Sequence, residues 1–81
     1  MPKILEWRGY KFFFFSNEGD PLEPCHIHIR KDGNVAKFWV VPVISLASSW
    51  GMTPKELNRL EAKVYEIKPL IEERWNEHFN L

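Results

Sequence analysis

The sequence predicts an α+β fold, with a three- to four-stranded antiparallel meander packed against a C-terminal helix kinked or broken near Pro69. Short alternating or aromatic segments separated by turn residues fill the first half of the chain. An apolar stripe with helical spacing then fills residues 54–78. At 81 residues with 44% hydrophobic content, residues 1–81 are expected to form a single domain.

The first two predicted strands cover residues 3–7 and 10–15, with a tight turn at Arg8-Gly9 between them. The second strand contains four consecutive phenylalanines. Because side chains alternate across a strand, two of the four must face each side of the sheet. The two sets are Phe12 with Phe14 and Phe13 with Phe15. One set is expected beneath the helix, and the sequence leaves open which one.

Residues 25–30 and 35–41 form the most informative unit, a hairpin whose turn is either Asp32-Gly33 or Gly33-Asn34. The two registers differ by two residues, so each side chain stays on the same face in both. One face is apolar. The other face is expected to point to solvent and concentrates polar and aromatic side chains, namely His26, His28, Lys37 and Trp39.

The segment after Pro42 is predicted to be either a short edge strand over residues 43–49 or an irregular loop. With only one helical layer predicted, the second face of the sheet has too little cover for a monomer. Either the loop of residues 43–52 folds over it with Trp50, or the face is a protein or RNA interface.

The C-terminal helix has a clear start, because Thr53 can cap it, Pro54 suits its first turn and Glu56 can complete a capping box. Its apolar stripe is Leu57, Leu60, Val64, Ile67, Ile71 and Trp75. Pro69 interrupts the stripe without changing its phase. Since an internal proline costs about 3 kcal/mol or more, we expect a kink or a restart there.

Charge and cysteine content restrict the function classes. Eleven basic and eleven acidic residues give no net charge, which argues against a dedicated duplex-DNA binder. Cys25 is the only cysteine, so no internal disulfide can form and a reducing cytoplasm is expected. No apolar run approaches the roughly 20 residues of a membrane span, and the sequence from Met1 does not read as a signal peptide.

The polar face of the hairpin could support RNA chemistry. His26 and His28 are candidate general acids or bases, and Arg30 and Lys37 could hold a phosphate. Trp39 could stack on a base, as aromatic side chains do in single-strand RNA binders. The plain alternative is that the two histidines decorate a solvent-facing strand. The sequence leaves enzymatic activity open and favours none.

The same two histidines could also share a metal ion. A catalytic zinc site needs three protein ligands, and the third would have to be Glu23 or His78. Nothing in the spacing requires either residue, so no metal and no other cofactor is predicted. The chain also lacks a phosphate-binding glycine loop, a serine elbow and paired catalytic carboxylates.

Several segments together resemble a small bacterial family of uncharacterised proteins, domain of unknown function 4160. The segments are Pro2-Lys3-Ile4, Gly9-Tyr10-Lys11-Phe12-Phe13-Phe14, Glu23-Pro24-Cys25-His26-Ile27-His28-Ile29, Ala36-Lys37-Phe38-Trp39, Gly51-Met52-Thr53 with Glu56-Leu57, and Trp75-Asn76-Glu77 before Phe79. The resemblance implies a compact cytoplasmic α+β domain, often encoded beside another small protein in a toxin–antitoxin-like pair. It assigns no catalytic residues.

We therefore expect an interaction protein that binds a small neighbour-encoded protein, or a second copy of itself, through the aromatic and histidine face. Candidate binding residues are Phe13, Phe15, Arg30, Lys37 and Trp39. The alternatives are a metal-independent ribonuclease-like toxin that uses His26 or His28, and a metal-binding module built on the same two histidines.

Overall fold

The computed structural model describes residues 3–15 and 23–81, and these form one antiparallel sheet with one helix. The elements are β1 (Lys3–Trp7), β2 (Tyr10–Phe13), β3 (His26–Lys31), β4 (Asn34–Trp39), β5 (Ser45–Trp50) and α1 (Pro54–Phe79). The strands pair in sequence order, β1-β2-β3-β4-β5, so the sheet is an open meander. The predicted α+β fold is confirmed, with five strands instead of three or four.

The tight turn at Asp32-Gly33 sets the register between β3 and β4. Asp32 and Gly33 both have positive φ, at 51° and 84°, as a type I′ turn requires. Ile29 therefore lies opposite Ala36, which is the register predicted for an Asp32-Gly33 turn. The alternative turn at Gly33-Asn34 is wrong.

The strand bounds differ from the predicted ones at the open ends of the hairpins. Strand β2 ends at Phe13 and β4 ends at Trp39, each two residues early. The segment after Pro42 contains the edge strand β5, in which Trp50 pairs with Val35 of β4. The alternative of a loop folded over the second face is therefore wrong. The turn residues and acidic side chains of Ser16 to Glu23 predict a loop, and all of it except Glu23 lies outside the described residues.

Helix α1 begins with the predicted capping box. The Thr53 hydroxyl accepts from the Glu56 amide at 3.1 Å, and the Glu56 carboxylate accepts from the Thr53 amide at 3.1 Å. The helix continues through Pro69, so the prediction of a second helix restarting there is wrong. Pro69 leaves the carbonyl of Tyr65 without its helical donor, but both residues are exposed, so water can hydrogen-bond to that carbonyl.

The core lies between α1 and one face of the sheet. Phe12 and Phe14 are fully buried there, which settles the pair of phenylalanines that the helix covers. The Phe14 ring packs edge-on against Trp75 with 5.1 Å between ring centroids. The other core side chains contributed by the strands and α1 include Ile27, Ile29, Ala36, Phe38, Leu60, Val64 and Ile71.

A side-chain hydrogen bond ties the start of α1 to β2. The buried Tyr10 hydroxyl donates to the Glu56 carboxylate at 2.6 Å. This bond lowers the pKa of Glu56, with the Thr53 amide bond adding to the effect. The same bond, together with burial, raises the pKa of Tyr10. The contact therefore depends on a protonated phenol and an ionised carboxylate.

Candidate functional site

The sheet face opposite α1, which we name the open face, is defined by the strand register. Side chains of directly opposed residues share a side, so Phe13, His28 and Lys37 lie in one row across β2, β3 and β4. Among the described residues, no second helix or sheet packs on this side. Its members are Lys11, Phe13, His28, Arg30, Val35, Lys37, Trp39, Ser48 and Trp50.

An aromatic cluster occupies the β2 side of the open face. The Phe13 ring stacks on His28 at 5.7 Å, and the Phe15 ring meets the same imidazole at 4.5 Å. Phe13 and Phe15 pack edge-on at 5.3 Å. Phe13 is only 6% exposed and Phe15 is 42% exposed. The second pair of phenylalanines thus packs against a histidine and presents one ring to solvent.

Two cations contact aromatic rings of the open face. The Arg30 guanidinium lies 5.8 Å from the Phe13 ring centre, and the Lys37 ammonium lies 4.4 Å from the Trp39 ring centre. Lys37 also forms an ion pair with Glu23 at 3.1 Å. Such cation–π contacts hold charged groups beside aromatic surface while leaving them open to a partner.

Two shallow depressions mark the open face. One, of about 190 Å³, is lined by Lys3, Lys11, Phe13 and Arg30. The other, of about 310 Å³, lies across β3, β4 and β5, and its lining includes His28, Lys37 and Trp50. The predicted binding residues Phe13, Arg30 and Lys37 therefore line depressions on the same surface. Phe15 and Trp39 contact them through the ring contacts above.

His26 departs from the prediction that both imidazoles face solvent, because it is 0% exposed. Its Nδ1 lies 2.9 Å from the Pro24 carbonyl oxygen. Its ring meets His28 at 5.1 Å and Trp39 at 5.4 Å, as expected for the same face. Trp75 of α1 also packs on it at 5.1 Å.

Strand alternation placed His26 on the correct side of the sheet but could not reveal the cover. Trp75 lies near the end of α1 and contacts Phe14 as well as His26, so it reaches both the core and the start of β3. A buried ring has no access to a substrate in solution. His26 therefore supports the structure here, and His28, which is half-buried, is the one imidazole of the pair beside a surface depression.

Cys25 is a buried core residue, as its position in the apolar row predicts. Burial, with a contribution from the Glu72 carboxylate, raises the pKa of its thiol to about 12. The thiol therefore stays protonated at neutral pH and is a poor nucleophile. Cys25 lines a cavity of about 300 Å³ together with Glu23 and Trp75. The cavity therefore has no activated cysteine in its wall.

A metal site on the two histidines finds no support in the geometry. Across residues 3–15 and 23–81, no group of three or more His, Cys, Asp and Glu side chains is arranged to hold a metal ion. Of the two suggested third ligands, Glu23 is paired with Lys37, and His78 packs against the rings of Phe14 and Phe79.

Sequence reasoning missed several members of the open face. Lys11 and Val35 follow from the observed pairing, because each lies in register with an assigned residue, Arg30 and Trp50 respectively. For Trp50, one of the two alternatives left open by the sequence was that it covers the face from a loop. Strand alternation could have placed it. Ser48 and Trp50 are two residues apart, so in a strand they share a side, and they pair with Lys37 and Val35 of β4.

The neutral chain separates its charges between sheet and helix. Within residues 3–15 and 23–50 there are six basic and three acidic side chains. The basic ones are Lys3, Arg8, Lys11, Arg30, Lys31 and Lys37, and the acidic ones are Glu6, Glu23 and Asp32. Helix α1 instead carries six glutamates against five basic residues. A zero net charge therefore conceals a basic sheet region.

No helix within the part of the chain that the structure describes is long and apolar enough to cross a membrane. Comparison with curated proteins and with solved structures gave no match. A family model described as Domain of unknown function (DUF4160) matches residues 9–76, from the β1–β2 turn to the last turns of α1. The match confirms the resemblance seen in the sequence, and this chain belongs to the DUF4160 family.

Proposed function

We propose that this chain is the interaction component of a cytoplasmic toxin–antitoxin-like pair, and that its open face binds a small neighbour-encoded protein. The observation that carries the proposal is a sheet face in which aromatic rings and cations alternate and which no described element covers. The genomic setting is the one that the family resemblance implies.

Exposed rings on the open face supply apolar anchors. Trp50 is 70% exposed and Phe15 is 42% exposed, although both belong to residue types that are usually buried. Aromatic side chains and arginine are the residue types that most often dominate binding energy at protein interfaces. Trp39 and Arg30 are partly available beside them. The face thus has the composition of an interface core with a charged margin.

The charges indicate the chemistry of the partner. Lys11 and Arg30 are exposed, lie directly opposite each other and line one depression. Lys37, in the neighbouring row, already pairs with Glu23, which shows that this face accepts a carboxylate. A partner with an apolar patch bordered by Asp or Glu would complement it, and such charge complementarity increases association rate and specificity.

Co-expression with the neighbour-encoded protein, followed by titration calorimetry of the purified pair, tests this proposal. We expect Lys11→Glu with Arg30→Glu to weaken binding by about 100-fold, because two attractive contacts become repulsive. The matched control is Arg59→Glu with Arg74→Glu, which makes the same charge change at exposed positions of α1. Equal affinity of the two double variants, or no binding by the parent chain, would remove the proposal.

A second candidate is a ribonuclease-like toxin that needs no metal, and it is favoured by one observation. His28 lies directly opposite Lys37, and Arg30 is two residues further along the same strand on the same side. A general base and two cations for a phosphate are therefore adjacent, with Trp39 available to stack on a base. His26 no longer belongs to this mechanism.

An RNA cleavage assay separates the two candidates. If the chain cleaves RNA, His28→Ala should abolish cleavage, whereas His28→Ala should leave a purely protein-binding function largely intact. A parent chain without cleavage, or a His28→Ala variant with full activity, excludes the ribonuclease.

A further inference from the structure

The two edges of the sheet differ in how they are protected. Strand β5 forms one edge, and five of its six residues are exposed. No segment within the described ranges pairs with the outer side of β5. Such an edge presents unpaired N–H and C=O groups, which can pair with a strand from another chain.

Strand β1, at the opposite edge, carries the usual protection. Lys3 and Glu6 place charges on it, and they form an ion pair of 3.1 Å. Its register also shifts between Lys3 and Leu5. Charged side chains and bulges both discourage edge-to-edge pairing. This edge is therefore poorly suited to accept a further strand.

Strand β5 lacks the charged protection. Seventeen consecutive residues between Lys37 and Lys55 contain no Asp, Glu, Lys, Arg or His, in a chain that is 27% charged. Its register also shifts, at Ala47, as that of β1 does, so charge and not the bulge distinguishes the two edges. The centre of the strand consists of the small residues Ala47, Ser48 and Ser49, which permit close approach of another backbone.

We propose that β5 pairs antiparallel with β5 of a second copy of this chain, so that two sheets join across a two-fold axis. A two-fold interface brings the same strand from each copy together, and an uncharged strand pairs with itself without like-charge repulsion. Leu46 and Trp50, which are exposed in one chain, gain cover from the other. The dimer covers Trp50, one of the anchors proposed above, but leaves Lys11 and Arg30 uncovered, and it adds a second copy of the chain to the partner proposed there.

The size of the contact limits its strength. A six-residue strand is roughly 20 Å long. Pairing of two such strands buries less than the roughly 800 Å² per partner found in stable complexes. We therefore expect a dimer that forms and dissociates with concentration in the micromolar to millimolar range.

Sedimentation equilibrium of the full chain across that range tests the dimer, with Ser49→Lys as the disrupting variant. It places two lysines near each other at the junction, and we expect a dissociation constant raised by about tenfold or more. Asn58→Lys adds the same charge at an exposed position of α1 and should leave the dissociation constant unchanged. Ala47→Lys provides a second disrupting variant if Ser49→Lys does not fold.

Hydrogen exchange supplies an independent readout, because β5 amides should exchange more slowly at high concentration. A chain that stays monomeric throughout overturns the proposal. So does a dimer that both lysine variants on β5 retain, or one that Lys11→Glu with Arg30→Glu disrupts, since that dimer would use the open face. Protection of β5 only in a complex with the neighbour-encoded protein would identify a heterologous strand instead and would also overturn it.

Discussion

Phenylalanines of β2 and of the two residues after it lie on both faces of the sheet, and their surroundings differ between the faces. Phe12 and Phe14 are fully buried against α1, as part of the apolar core. Phe13 and Phe15 meet an imidazole and a guanidinium, and Phe15 keeps 42% of its surface exposed. Burial behind a helix contributes to stability, whereas Phe15 keeps part of its ring in contact with solvent.

The two histidines repeat this comparison within one face. His26 and His28 both lie on the open side of β3, yet only His26 is fully buried. Trp75 packs on His26 from the end of α1, with 5.1 Å between ring centroids. Membership of a face therefore does not determine exposure, because a helix can cover one end of a face and leave the rest open.

The largest expected effect compares Phe14→Ala with Phe15→Ala. Truncating the fully buried Phe14 should lower the free energy of unfolding by about 3–5 kcal/mol, through lost burial and the cavity left against Trp75. Truncating Phe15 should cost about 1 kcal/mol or less, since much of its surface is already in water. Urea denaturation of both variants measures the difference, and comparable losses would contradict the assignment of the two faces.

The next effect compares His26→Ala with His28→Ala. The first removes a ring with no exposed surface and its hydrogen bond to Pro24, and we expect a loss of about 2–3 kcal/mol. The second removes a half-buried ring, and we expect roughly 1 kcal/mol. Thermal denaturation with calorimetry tests the pair. If His28→Ala is the more damaging change, His28 is the buried histidine and the candidate site is misplaced.

A pH effect tests how the helix is held on the covered face. Since the pKa of Glu56 is lowered on folding, its stabilising contribution is complete above the pKa of the unfolded carboxyl and is lost as pH falls through the lower folded value. Since the pKa of Tyr10 is raised, its contribution is complete below the pKa of the unfolded phenol and is lost as pH rises through the higher folded value.

Tyr10→Phe removes this hydrogen bond at every pH. We expect its melting temperature to fall most at neutral pH, with a smaller difference from the parent below about pH 4 and above about pH 10. Melting curves across that range measure the effect, and Tyr65→Phe, at an exposed helical position, is the matched control. A difference from the parent that does not depend on pH would show that the bond contributes nothing through ionisation.

The smallest effect concerns the ion pair between Lys3 and Glu6 on β1. Both side chains are about half exposed, at 55% and 50%, and their atoms are 3.1 Å apart. Solvent screens such pairs, so Glu6→Gln should change the free energy of unfolding by less than about 0.5 kcal/mol. Denaturation at low and high salt measures it. A loss above 1 kcal/mol would mean that the β1 edge contributes more to stability than its exposure indicates.

Local patterns were sufficient for most of the fold. The Asp32-Gly33 turn predicted the pairing of Ile29 with Ala36, and Thr53 with Glu56 marked the start of α1. Each prediction involved residues close in sequence, whose geometry depends on backbone sterics and local hydrogen bonds. Family membership likewise followed from residue segments along the chain.

The candidate site was only partly predictable for the same reason. Phe13, Phe15, Arg30, Lys37 and Trp39 lie where alternation put them, because alternation is a property of the strand itself. His26 was assigned to solvent and is buried, and Trp50, for which a covering loop was one of two open alternatives, lies on an edge strand. Both depend on elements that meet across a large sequence separation.

The amino-acid sequence alone determined the α+β class, the hairpin of residues 25–41 with its two possible registers, and the side of the sheet on which the hairpin residues lie, since these follow from periodicity and turn chemistry. Only the tertiary structure decided which hairpin register forms, which phenylalanine pair is covered, that α1 continues through Pro69 and that His26 is buried with Trp75 packed on it. The physical reason is that burial is a property of packing between distant segments, and no local pattern records where the end of a helix will lie.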